Sequence, residues 1–304
     1  MDGYCTQFSL NVVTKTKEAW YSKFLMQVSV IIPTFNRAHT ILRALKSVLT
    51  QERVASEIFV IDDGSTDETR SLIESTCQKE PNVQYLFQPN QGPSAARNLG
   101  IRKSRAPYVA FLDSDDEWLP GKLGAQLQFF ESYPNFLICQ TEEIWIRNGR
   151  RVNPMKKHKK FGGLIFEACL PLSIVSPSCV MMRRPFFDQV GLFDETFPAC
   201  EDYELWLRTS ARFPIGLMEQ PYVMKYGGHS DQLSRTLPVM DQFRIRALLK
   251  LLESDFLTAD QQKMVASELV RKAKIVGQGS LKRGKKDDAA YYEGLVKTFN
   301  GHHD

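Results

Sequence analysis

Asp113-Ser114-Asp115-Asp116 follows the apolar run Tyr108 to Leu112. In extended backbone, side chains two residues apart project to the same side, so Asp113 and Asp115 are expected to share a site. Carboxylates held that close repel each other, and a cation relieves the repulsion. Magnesium favours one or two carboxylates together with the phosphate oxygens of a substrate, a combination that suits a nucleoside diphosphate. The alternative use of the same residues is a helix cap, with Asp115 or Asp116 accepting from the amides of the turn that follows.

A second acidic cluster, Asp62-Asp63-Gly64-Ser65-Thr66-Asp67, follows the run Glu57 to Ile61. Asp63 at a strand end can accept from a base N–H or a ribose hydroxyl, while Gly64 lets the backbone turn tightly. Ser65, Thr66 or Asp67 can cap the next helix, and the two uses are compatible. Glu201 and Asp202 open a further predicted helix, where negative charge is stabilising in its own right. Lys156, Lys157, Lys159 and Lys160 form a basic run, read either as a solvated loop or as an attractor of anionic lipid or a phosphorylated acceptor.

The elements that must position these groups alternate. Val28 to Ile32, Glu57 to Ile61, Val83 to Phe87 and Tyr108 to Leu112 read as strands; Ile41 to Leu49, Glu68 to Cys77 and Ser94 to Lys103 read as helices. That alternation predicts an α/β fold with a mostly parallel central sheet and helices on both faces. Ligands of such sheets bind outside the carboxyl ends of the strands, so the clusters at 34–37, 62–67 and 113–116 are expected to converge on one crevice. Beyond Asp116 the pattern is mixed: helix over 119–133, strand over 136–145 and 178–182, helix over 185–190 and 202–212. From Pro238 onward apolar residues at helical spacing predict a C-terminal helical appendage. The expected division is an extension over 1–26, a catalytic unit over 27–237 and the appendage over 238–304.

With 304 residues, 43% of them hydrophobic, the chain can bury a sizeable core. A net charge of +4 offers little general attraction to nucleic acid, and none is expected as a partner. The six cysteines are scattered without a C-x-x-C pair, which argues against a zinc ribbon or a disulfide framework and for a reducing, cytoplasmic setting. No apolar run reads as a signal peptide or a bilayer span, leaving a cytoplasmic protein with peripheral contact at the inner membrane face left open. No particular oligomeric state follows.

The segments Val-Ser-Val-Ile-Ile-Pro-Thr-Phe-Asn-Arg (28–37), Val-Ile-Asp-Asp-Gly-Ser-Thr-Asp (60–67), Gly-Pro-Ser-Ala-Ala-Arg-Asn-Leu-Gly-Ile (92–101), Phe-Leu-Asp-Ser-Asp-Asp (111–116) and Glu-Asp-Tyr-Glu-Leu-Trp-Leu-Arg (201–208) resemble the successive motifs of glycosyltransferase family 2, which has the GT-A fold. The resemblance runs from about Val28 to about Arg235 and implies inverting transfer of a sugar from a nucleotide-sugar donor to a glycan or lipid-linked acceptor. It implies that Pro33 and Thr34 line the nucleobase pocket and that Asp63 bonds the base. It places Arg97, Asn98 and Glu201 near the donor. Asp113 would touch the ribose or the diphosphate, Asp115 would be the main ligand of Mn²⁺ or Mg²⁺, and Asp202 would be the general base. His229, in the loop after the base helix, would complete the metal coordination or lie on a surface loop.

Two other enzymatic readings compete. A nucleotidyltransferase should carry a Gly-rich loop with a basic residue after the first strand, and a dinucleotide enzyme should carry G-x-G-x-x-G there. This chain has Pro-Thr-Phe-Asn-Arg at that place. A catalytically inactive sugar-nucleotide-binding scaffold is the non-enzymatic alternative.

Overall fold

The computed structural model describes residues 27–228 and 239–300. Strand β1 (Val28–Thr34) is buried throughout. Its alternation sends Val28, Val30 and Ile32 into one core and Ile31 into the other. Helix α1 (Ile41–Leu49) buries Ile41, Ala44, Leu45 and Val48 along one face. Strand β2 (Glu57–Asp62), helix α2 (Thr69–Cys77), strand β3 (Val83–Phe87), helix α3 (Pro93–Lys103) and strand β4 (Tyr108–Phe111) complete the predicted alternation. Strands β1 to β4 are mutually parallel in the order β3-β2-β1-β4.

The second half widens the sheet. Strand β5 (Glu117–Trp118) is followed by helix α4 (Lys122–Ser132), strand β6 (Ile138–Arg147), strand β7 (Arg150–Val152) and the short helix α5 (Phe166–Cys169). Strand β8 (Val180–Arg183), helix α6 (Pro185–Val190), helix α7 (Glu201–Ser210) and strand β9 (Gly216–Gly227) follow. The full order is β3-β2-β1-β4-β8-β6-β9-β5, with β7 hairpinned onto β6. Strand β8 runs antiparallel to both neighbours, and β9 runs parallel to β6. Strand β9 was not predicted. It contains Pro221, opposite Glu142 where the register shifts, and a proline within a strand is tolerated at such a bulge.

Helices cover both faces. One core joins β1, β2 and β4 to α1, α2 and α4; the other joins the same sheet to α3, α5, α6 and α7. Helix α8 (Met240–Leu252) inserts Ala247, Leu248 and Leu251 into that second core, and helix α9 (Ala259–Lys282) adds Val265 and Leu269. Helix α10 (Lys286–Phe299) packs on α9 through Tyr292, Leu295 and Val296. The C-terminal helices therefore close a core that the sheet and α7 leave open. Among the described residues no helix is long and apolar enough to cross a membrane.

Candidate active site

The first strand ends form a braced rim. The 35–38 segment is bonded to the turn after β2: Asn36 N donates to Ser65 Oγ, Thr66 N to Asn36 Oδ1, Arg37 N to Thr69 Oγ1 and Ala38 N to Asp67 Oδ2. Burial works to raise the Asp67 carboxyl, but the bonds from Thr69 and Ala38 outweigh it and hold the group below its ordinary value. Asp62 accepts from Ser65 N and the Tyr85 hydroxyl, so it too serves the turn. Gly64, at φ +87°, adopts a left-handed conformation, and a Cβ there would meet Asn90 N at 2.9 Å.

The predicted base-pocket residues lie together on this rim. Pro33 and Thr34 are buried at the end of β1, and the Thr34 hydroxyl has no hydrogen-bond partner. Asp63, only 4% exposed, accepts at Oδ1 from Gln88 Nε2 (2.7 Å) and Gln91 N (2.9 Å), and at Oδ2 from Gly92 N (2.8 Å). Its carboxylate thus locks the segment that leads into α3. Asn98 has both ends of its amide committed elsewhere: Nδ2 donates to Phe193 O and Glu195 Oε1, and Oδ1 accepts from Phe193 N. It clamps the chain ahead of α7, a role its motif gave no hint of.

Arg97 links the turn after β4 to the start of α7. Carried on α3 and 5% exposed, it donates from Nη1 to Glu201 Oε1 at 2.7 Å and from Nη2 to Asp113 Oδ1 at 2.8 Å. Burial opposes the guanidinium charge, yet Asp113 and Glu201 together hold it firmly protonated. For Glu201, burial dominates and its proton affinity is raised despite Arg97. Helix α3 can come this close to β1 because residue 100 is glycine: a Cβ there would meet Ile31 Cγ2 at 2.5 Å.

The acidic segment after β4 is a turn, which corrects the extended geometry expected from its spacing. Asp116 N donates to Asp113 O, so Asp113 and Asp115 are neighbours through a turn and not through strand alternation. Nor does the segment cap a helix. The buried Asp116 carboxylate accepts from Ser178 Oγ (2.6 Å) and Tyr226 N (3.0 Å), fastening the turn to β9. Its pKa is well raised, by burial first and by Asp115 second. Asp113 N donates to Ser178 Oγ, and the carbonyl of Asp115 accepts from Arg43, whose guanidinium covers the Tyr226 ring. Asp113 and Asp115 are both partly exposed. Among the described residues no cluster of three or more His, Cys, Asp or Glu side chains has metal-holding geometry. His229 lies outside the described residues.

Helix α7 begins with Glu201 and Asp202. The residue before them, Cys200, has φ +61°, a left-handed conformation that costs a non-glycine residue about 1–3 kcal/mol and tends to mark functional sites. Asp202 Oδ1 accepts from Tyr203 N, and Oδ2 from Ser173 Oγ at 2.9 Å. It borders a cavity of about 270 Å³ whose wall includes Ser173, Trp145, His158, Lys225 and Arg244. Lys225 Nζ donates to Ser176 Oγ, and Glu143, Asp116 and Asp113 keep it charged against the effect of burial. Trp145, Ser173 and Lys225 were not singled out in the sequence; they are scattered along it, and Lys225 belongs to the strand whose proline hid it.

Comparison with known proteins agrees with this architecture. The model for glycosyl transferase family 2 matches residues 29–191. An uncharacterised glycosyltransferase of Rickettsia bellii is 37% identical over 190 residues, 62% of this chain and 27% of the relative. The succinoglycan biosynthesis protein ExoU of Rhizobium meliloti is 34% identical over 200 residues, 60% of this chain and 57% of its own length. The first relatives are thus matched over less than a third of their length. The crystal structure of S. aureus TarS 1–349 in complex with UDP-GlcNAc superposes with a TM-score of 0.71 at 20% identity, covering 91% of this chain and 82% of that one, which is a likeness of fold. Because the family match spans more than half the chain and the sheet and its flanking helices follow the GT-A pattern, this chain belongs to glycosyltransferase family 2.

Proposed function

We propose that the chain is an inverting glycosyltransferase that moves a sugar from a nucleoside-diphosphate donor, UDP first, to an acceptor hydroxyl of a saccharide or lipid-linked glycan. The observation that carries the reading is Arg97, whose two nitrogens tie Asp113 on the donor side to Glu201, next to Asp202, on the other. On this reading the donor groups and a candidate base would flank one crevice. The fold neighbour TarS, solved with UDP-GlcNAc and with UDP, supports a uridine donor. The catalytic unit is read as residues 27–237, with 238–304 as its helical cover.

Pro33, Thr34 and Asp63 would take the nucleobase, and Arg97 would keep Asp113 oriented toward the donor. Asp113 and Asp115, two partly exposed carboxylates in one turn, are a hard oxygen donor set that fits Mg²⁺ or Mn²⁺, and His229 would complete it. A bound cation supplies neutralisation of the charge that develops on the departing diphosphate. Asp202, its carboxylate aimed by Ser173 and Tyr203 N, takes the proton of an acceptor hydroxyl seated in the adjoining cavity. The hydroxyl oxygen attacks the anomeric carbon from the face opposite the diphosphate. The bond to the diphosphate breaks as the new bond forms, the proton ends on Asp202, and the configuration inverts without a covalent sugar–enzyme intermediate.

Thermal unfolding with UDP-, GDP- and dTDP-sugars, each with and without Mn²⁺, tests this reading. A UDP-sugar should raise Tm most, and only with the cation. Equal shifts for all three nucleotides, or shifts that ignore the cation, would refute it.

A further inference from the structure

Between Glu143 and Glu167 the sequence contains no acidic residue. Within that span Arg147, Arg150, Arg151, Lys156, Lys157 and Lys159 are all exposed. The seventh Lys or Arg of the segment, Lys160, is turned inward onto Glu143 at 3.4 Å, so the segment buries and neutralises one of its cations and leaves six facing out. Three large apolar side chains are exposed among them: Met155 at 60%, Phe161 at 41% and Leu164 at 84%. Isolated exposed apolar residues need no explanation, but three within ten positions, interleaved with lysines, form a patch.

The fold holds this segment in place. Asn148 and Gly149 both have positive φ and close the β6–β7 hairpin, which presents Arg147, Arg150 and Arg151 at its tip. The following turn is pinned by His158, whose ring packs on Trp145 with centroids 4.9 Å apart, and the exit is pinned by reciprocal backbone bonds between Gly163 and Ile215. Trp145 and His158 are also walls of the cavity beside Asp202. The segment that carries the patch therefore also supplies part of the cavity wall beside Asp202.

We infer that the surface formed by residues 147–164 docks on an anionic phospholipid bilayer, its lysines and arginines in the headgroup layer and Met155, Phe161 and Leu164 in the acyl boundary. Clustered basic residues are drawn to the negative surface potential of such a membrane, and apolar side chains set among them add burial at the interface. A soluble polyanion would be served by the cations alone and gives no use to the exposed apolar trio. Docking would hold the Asp202 cavity at the height where a lipid-linked acceptor presents its hydroxyl. That last step rests on the proposed function, but vesicle binding is measured without donor or acceptor, so its failure would leave the transferase reading standing.

The test is co-sedimentation of the full chain with vesicles of phosphatidylcholine alone and of phosphatidylcholine and phosphatidylglycerol in equal parts. Binding is expected only to the anionic vesicles. The triple variant Lys156→Glu, Lys157→Glu, Lys159→Glu should lose about a hundredfold or more in vesicle affinity. Phe161→Ser with Leu164→Ser should also weaken binding while leaving the affinity for soluble polyphosphate unchanged. All five positions are exposed, and an unaltered thermal transition confirms that the variants fold. Failure to sediment with anionic vesicles would overturn the proposal. So would undiminished binding of the lysine variant, or vesicle binding that ignores the apolar pair.

Discussion

Asp63 carries two demands on one carboxylate. Three bonds from the 88–92 segment use it as a lock, and the family resemblance uses it as a partner of the base. The sequence revealed a carboxylate at a strand end but not the lock, because Gln88, Gln91 and Gly92 come together with it only when β2 and β3 pair. Asp63→Ala should cost about 1–3 kcal/mol of stability by urea unfolding, since backbone amides lose their acceptor. If it also bonds the base, calorimetry should show nucleotide affinity falling by about 1.5–3 kcal/mol. Unchanged affinity with the stability loss would leave Asp63 as a lock only. The acidic segment was similarly half-legible: its place after a strand was readable and its turn was not, since the bonds of Asp116 to Ser178 and Tyr226 are long-range.

At the scale of elements, the parallel β1–β4 block was readable because each strand is a short apolar run and each helix follows at a fixed distance. Strand β8 was readable as a strand, but its antiparallel direction depends on the connection that returns it beside β4. Helix α3 carries the test of how position controls the site. Gly100→Ala would push against Ile31 and should cost about 1–3 kcal/mol by overpacking, with transfer falling alongside because Arg97 rides on the same helix. A normal thermal transition would show that α3 has room to spare. Helix α4 buries Lys122, with Nζ bonded to Gln126 and 4.1 Å from the Trp118 ring centre. Burial pushes this ammonium down to about 7, with Cys179 and Cys139 opposing. Between that value and the ordinary 10.5 the unfolded chain holds a proton that the folded chain lacks, so this group makes stability rise with pH across that window. The contribution is limited to about 1.4 kcal/mol per pH unit. Lys122→Met should be more stable at neutral pH, and its stability should rise less between about pH 7.5 and 8.5 than that of the unmodified protein, the cysteines titrating alike in both. An identical pH slope in both proteins would contradict the depressed value.

On the scale of the whole molecule, α8 and α9 contribute Ala247, Leu248, Leu251, Val265 and Leu269 to the core beneath α7, so they support the helix on which Asp202 stands. Their periodicity was plain in the sequence; where they dock was not, because amphipathic spacing names a face and not its partner. The same limit applies to the candidate site as a whole. Its parts were legible as motifs, but the salt-bridged line from Asp113 through Arg97 to Glu201 spans positions 97 to 201 and exists only in the folded chain. In the proposed function this line separates a donor side from a base. Asp202→Asn keeps the size of the side chain and removes its ability to take a proton. Sugar transfer and donor affinity should be measured on the same preparation: transfer is expected to fall by about 10² to 10⁴, with donor and cation affinity retained. Transfer within a few-fold of the unmodified protein would contradict the account and leave Asp202 with only the roughly 0.3–1 kcal/mol that a carboxylate contributes at a helix N-terminus.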